Sequence, residues 1–335
     1  MRRWLLQLVA ILTTVTVTPP FGYSPAPVRV RLTSTEVSVV ARLQSIATRW
    51  NRGVPVPEEG IIWKVEPSAR TSPTLAVARH VMSHARQLLS LMEQGSPAPT
   101  WIVVGRTQEF LRKTTDSIGC TPDLSTTHGE FLMGLTACGR RVIVINLTGY
   151  LFLRSTTQES THYMETRREP PMSAVTYTFA TRNISSLAHE WFHVARAKVS
   201  DGYVPDNEPA WFREGMAEIT AGLSMVRAYP TRADYMEFHV VRIRRFMDWS
   251  RRCIGPLSAF RDGRTPDMCT YTRGAAAIEL LLARHGGIAR IGELDRDAAR
   301  TGDFLAAFRR NYGMSMTTFE READVYTHGI RLASS

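Results

Sequence analysis

Lysine is almost missing from this chain: of 41 basic residues only Lys64, Lys113 and Lys198 are lysines, and the arginines are scattered rather than clustered. Set against 31 acidic residues they leave a net charge of +10. Without a basic tract or stripe, that charge reads as a solvated surface with a general attraction to acidic polymers and anionic envelopes, and no specific nucleic-acid partner is expected. Long apolar runs are scarce too; beyond the first twenty residues no segment is long and apolar enough to span a bilayer. Internal repeats and low-complexity blocks are lacking. Cysteine is limited to four residues, none in CxxC spacing, which argues against a cysteine-ligated zinc site. With 44% hydrophobic and 21% charged residues the composition is that of an ordinary globular protein, and 335 residues suffice for one large domain or two modest ones.

What is present begins with MRRWLLQLVAILTTVTVT, two arginines and a short apolar run ended by Pro19 and Pro20. That is the shape of a secretory leader or, since FGYSPAP offers poor small-residue cleavage sites, an N-terminal anchor over residues 1–26. An extracytoplasmic location follows from it. Four cysteines fit export: Cys120 with Cys138 and Cys253 with Cys269 would close two short local loops, although sequence alone permits three connectivities.

An α/β lead segment is expected over 27–95 and a main domain over 96–335, its sheet part at 96–182 and its helical part at 183–335. GIIWKVEP, TWIVVG and RRVIVINL read as strands. SPTLAVARHVMSHARQLLSLMEQG carries apolar residues at helical spacing behind the start signals Ser72 and Pro73, and TQEFLRKTT reads as a further helix. Residues 154–173 are polar and aperiodic, as in a long surface loop. A small mixed sheet followed by a helical bundle is an α+β arrangement.

The stretch LAHEWFHVARAK, 187–198, sets two histidines four residues apart in a helical run. On a helix, positions i and i+4 share a face, so His189 and His193 can aim two imidazoles at one point, with Glu190 one residue round. Two neutral imidazoles suit zinc, and a catalytic zinc takes a third protein ligand while keeping one position open. The segment DNEPAWFREGMAEITAG, 206–222, supplies two glutamates, again four apart. Glu214 can complete the ligand set, and Glu218 on the same face can accept the free N–H of a ligating histidine. Asn207 is expected to cap this helix and Gly222 to end it. Taken singly, each glutamate would be ordinary helix surface.

HEWFH, twenty residues, and then the glutamate of AWFREGMAE resemble the gluzincin zinc metallopeptidases of the peptidase MA-like group, whose glutamate ligand lies in a WLxEGxA segment. Trp211, Glu214, Gly215 and Ala217 match that segment, with Phe212 in place of leucine. YTRGAAAIELLLARHGG resembles the family's YxKGxxxLxxL stretch, with Arg273 where lysine is usual, and FLAAFRRNYGMSMTTFEREA resembles its helical tail. The likeness covers about residues 180 to 330. It implies a zincin-type fold, one Zn2+ held by His189, His193 and Glu214, Glu190 as the general base, and Tyr271 as a phenol donating to the oxyanion. His239 is the best placed of the remaining histidines for a second donor; His285 and His328 read as structural or exposed.

The resemblance further implies a peptide or protein substrate laid along an edge strand, for which RRVIVINL or VTYTFAT could serve. HGEFLMGLTACG, 128–139, lacks the GxMEN segment of the family's aminopeptidases, which favours an endopeptidase. Two rivals remain at this level. One is an extracytoplasmic binding module that keeps the zinc but does not turn over; the other is a basic envelope-binding protein with no metal.

Overall fold

The computed structural model describes residues 13–16, 29–49, 60–90, 99–122, 124, 134–147, 174–200, 205–229, 235–244, 253, 255–262 and 268–332. Of the leader expected over 1–26, Thr13–Thr16 is described; it forms a short strand, β1, antiparallel to β2 (Arg29–Leu32). The 154–173 segment lies outside the described residues.

A four-stranded sheet carries the N-terminal half. Its strands are β3 (Ile61–Val65), β4 (Thr100–Gly105), β5 (Gly134–Ala137) and β6 (Val142–Asn146), in the order β3-β4-β6-β5. β3, β4 and β6 run parallel and β5 returns antiparallel to β6. The twofold alternation of a strand splits the apolar residues between the faces. Ile102, Val104, Ile143 and Ile145 face the main helical core, while Val103, Val142 and Val144 pack with Leu111 of α3 (Gln108–Ser117) and with Cys120. RRVIVINL is thus an interior strand, not an edge, because β5 has taken its outer side. VTYTFAT is not a strand at all: it opens a helix, α4 (Ala174–Val199).

Helices α1 (Ser34–Arg49) and α2 (Pro73–Leu89) precede and interleave with the strands. Ser72 and Pro73 stand at the N-cap and first position of α2, where proline's missing N–H is harmless. After α4 come α5 (Ala210–Ala228), a short turn running into a π-helix (Tyr235–Phe238, His239–Arg244), α6 (Met268–Arg284), α7 (Ile288–Thr301), α8 (Phe304–Tyr312) and α9 (Met316–Leu332). Nearly every residue of α5 from Ala210 to Val226 is buried, as befits a helix surrounded by α2, α4 and α6. β3 pairs with β4, and α1 and α2 share one core with α4 to α9, so no division of the core falls at residues 95 and 96. The whole is α+β with a small mixed sheet.

Two elements depart from the sequence expectation because other segments pack against them. Asn207 does not cap α5, which starts behind Pro209; its side chain instead accepts from the N–H of Phe304 (2.9 Å) and donates to Asp303 (2.8 Å), tying the approach of α5 to the start of α8. Gly222 does not end α5. A Cβ there would stand 2.5 Å from the Phe238 ring, so the glycine makes room for an aromatic in mid-helix.

Disulfides join Cys120 to Cys138 and Cys253 to Cys269. Such bridges persist in oxidising compartments. No described helix is long and apolar enough to cross a membrane.

Candidate metal centre

The C-terminal half of α4 is anchored by its apolar side. Leu187, Ala188, Trp191, Phe192, Val194 and Ala195 are all at 1% exposure or less, and each large side chain so buried contributes about 1.5–3 kcal/mol. One turn beyond His193, the buried Arg196 donates to Asp295 of α7 (2.6 and 2.9 Å) and to Glu208 before α5. That ion triad ties three elements together and fixes the rotation of α4.

Glycines set the spacing of the helix that brings Glu214. A Cβ on Gly215 would fall 2.3 Å from the Gly274 carbonyl carbon, and one on Gly274 would fall 2.2 Å from the Trp211 carbonyl oxygen. α5 and α6 therefore cross backbone against backbone. In consequence Tyr271, one turn before Gly274, comes beside His189: the two rings lie 5.8 Å apart.

His189, His193 and Glu214 converge, with one ligand atom from each within 4.8 Å of the others. Glu214 Oε2 stands 3.4 Å from His189 Nε2 and 3.5 Å from His193 Nε2. Two atoms bound about 2.1 Å from one ion at the tetrahedral angle are about 3.4 Å apart, so each imidazole stands from Glu214 at a spacing that suits a shared small divalent cation, and the donor types suit it too. Glu218 accepts from His189 Nδ1 at 3.2 Å, which fixes the tautomer that leaves Nε2 free to ligate. Among the described residues His193 Nδ1 has no such partner. Arg213 donates to the other oxygen of Glu214 at 3.0 Å.

The electrostatics are those of a site that calls for a cation. Burial lowers the proton affinity of both imidazoles and leaves the His193 pKa depressed, but at His189 the Glu214 and Glu218 carboxylates outweigh burial and raise it to about 10. Glu214 is held well below the usual carboxylate range: burial pushes it up, and His193 and His189 more than reverse this. The carboxylates thus hold a positive charge against desolvation, as a group able to take a metal ion would.

Glu190 is half-buried and faces β5. The Thr136 hydroxyl donates to Glu190 Oε2 at 2.5 Å, and a Cβ on Gly134 would come within 2.9 Å of Glu190 Cγ and 3.3 Å of Oε1. Gly134 is thus the residue that lets the strand lie against the carboxylate. β5 is the outermost strand of the sheet and among the described residues pairs on one side only.

His239 does not reach this site. It is fully buried between Glu279 (2.9 Å) and Glu36 (3.3 Å), where Glu36 also closes the first turn of α1 with Thr33, so it serves the packing of α1 on α6. His285 pairs with Glu322 at 3.0 Å. Arg273, where the resembled family has lysine, is buried and donates to Asp324 at 2.6 Å. Sequence reasoning missed Gly134, Thr136 and the Arg196 triad. A four-residue strand gives too little alternation to be recognised, and the triad spans 99 residues between Arg196 and Asp295.

Compared with protein families, with curated proteins and with solved structures, the chain matches none of them.

Proposed function

We propose that this chain is a zinc-dependent metallopeptidase acting outside the cytoplasm, with His189, His193 and Glu214 as ligands, Glu190 as general base and an extended peptide as substrate. One observation carries the reading: the trio converges, with both imidazoles 3.4–3.5 Å from one Glu214 oxygen, while the neighbouring Glu190 is left off the ligand set and oriented by a strand hydroxyl. A purely structural centre has no use for a positioned carboxylate beside it.

A bound zinc ion supplies Lewis acidity and a water of lowered pKa. Thr136 occupies Oε2 of Glu190, which leaves Oε1 to take a proton from the attacking water and pass it to the leaving amine. The ring of Tyr271 beside His189 supports a role for its hydroxyl as donor to the oxygen on which charge grows. The open edge of β5 offers backbone N–H and C=O groups to an extended chain, which pairs without regard to side-chain type. The two disulfides support the extracytoplasmic setting.

The test is metal quantification with a peptide-library digest, wild type against Glu190→Gln. The variant is expected to keep its metal and lose hydrolysis by about 10²–10⁴-fold. Equal cleavage by both proteins would refute the mechanism. Metal in both with cleavage by neither would instead mark a binding module.

A further inference from the structure

The β5–β6 hairpin turns through three successive residues of positive φ: Cys138 (50°), Gly139 (66°) and Arg140 (60°). Only the middle one is glycine, and the left-handed region costs an ordinary residue about 1–2 kcal/mol. The turn is nevertheless fixed. Cys138 is bonded to Cys120 just beyond α3, and the ladder closes behind it with Ala137 opposite Val142. Unfavourable backbone held in place by a covalent bridge points to the side chain it presents.

That side chain is a half-buried guanidinium within electrostatic reach of Arg196, Glu208, Arg213 and Glu214. Burial, and then repulsion from Arg196, push its pKa down to about 10, outweighing the pull of Glu208 and Glu214. Among the described residues no hydrogen bond or ion pair reaches it. The carboxylates nearby have cations of their own: Glu208 and Asp295 hold Arg196, and Glu214 lies between the two imidazoles and Arg213. A planar, partly desolvated fork to which no carboxylate is bonded is suited to a bidentate one. A chain laid along β5 passes Glu190 at Gly134 and Thr136 and reaches the hairpin tip at Arg140.

We infer that Arg140, backed by Arg213, forms a subsite for a substrate carboxylate beside the metal centre, supplied by an acidic side chain or by a free C terminus. This deepens the peptidase reading and rests on it for turnover, but not for binding. Arg140 is a specificity residue in this scheme and takes no part in proton transfer.

The experiment uses matched peptides, glutamate against glutamine at each position and free against amidated C terminus, with the zinc-loaded full chain. Wild type is expected to favour the acid by about tenfold to a hundredfold in kcat/KM. Dependence on the side chain or on the terminus identifies the source of the carboxylate. Arg140→Asn, which removes the charge yet tolerates a left-handed backbone, should bring the ratio to near one; Arg140→Lys should keep part of it. Metal content and thermal melting are read on both variants, and if the asparagine variant does not fold, the lysine variant and the wild-type ratio carry the test. Fluorescence anisotropy of the same peptides on the zinc-loaded Glu190→Gln protein reads binding without turnover. Acid preference in binding with no wild-type turnover would sink the peptidase reading and leave the subsite standing. Turnover without acid preference, or an Arg140→Asn protein that discriminates like wild type, overturns the subsite alone.

Discussion

Replacing Gly274 by alanine tests whether the α5–α6 crossing sets the geometry of the site. The new Cβ would stand 2.2 Å from the Trp211 carbonyl oxygen and 3.2 Å from Gly215 Cα. Both are backbone atoms, so no side chain can swing aside, and the helices must separate by about 1 Å to restore an ordinary contact. Overpacking of this kind costs about 1–3 kcal/mol, and a clash against backbone belongs at the upper end. Alanine returns up to about 1 kcal/mol through its better helix propensity. The net expectation is a loss of about 2 kcal/mol, or roughly 3 °C in Tm for a chain of this size. Because Glu214 adjoins Gly215 on one helix and Tyr271 lies one turn before Gly274 on the other, metal retention should fall with stability. Urea unfolding with and without chelator, together with metal per chain, measures both. Gly287→Ala is the control, since a Cβ there meets nothing within 4 Å. A Gly274→Ala protein as stable and as metal-rich as the Gly287→Ala control would refute the claim that the crossing positions the site.

Two further outcomes follow from the buried polar groups. His239 has its pKa raised to about 9, because Glu279 and Glu36 outweigh the effect of burial, against about 6.5 in an unfolded chain. A raised histidine pKa gives stability that is complete below pH 6.5 and is lost as pH climbs through 9, on the order of 3 kcal/mol in all. The urea midpoint should therefore drop more steeply between pH 6.5 and 9.5 in wild type than in His239→Gln, which keeps only the slope from His189; parallel curves would defeat the assignment. At the metal centre, Glu218→Ala removes the acceptor for His189 Nδ1. Zinc affinity, measured by chelator competition, should weaken about 10–100-fold, and unchanged affinity would mean that Glu218 does not orient the ring.

The parts of the site that could be read from the sequence are those a single helix encodes. His189 and His193 share a face because they are four apart, and Glu214 and Glu218 do so for the same reason; helical periodicity carries that information locally. Strands β3, β4 and β6 were recognisable as apolar runs. What could not be read depends on pairing between distant segments. The place of β5 outside β6 has no local signature, since a shift in sheet order leaves each strand's own pattern unchanged, and it moved the open edge from RRVIVINL to Gly134–Ala137. Gly222 carried a stop signal in sequence, but the packing of Phe238 on it overrode that signal. Asn207 likewise caps a helix nearly a hundred residues away.

Glu190 shows how the local and distant parts combine. A helix can offer a carboxylate beside two imidazoles, but the HExxH spacing says nothing about which carboxylate oxygen is free. That is decided by β5, through a threonine hydroxyl on one oxygen and a glycine that allows the approach. The strand that orients this carboxylate is also an edge strand, so a peptide substrate of the kind proposed would, on pairing with β5, be brought alongside the carboxylate by the same four residues. On the proposed function, binding and proton transfer would be coupled through one short element. Its far end is held by the Cys120–Cys138 bridge, so the covalent link in the hairpin, remote in sequence from His189, His193 and Glu214, would bear on both.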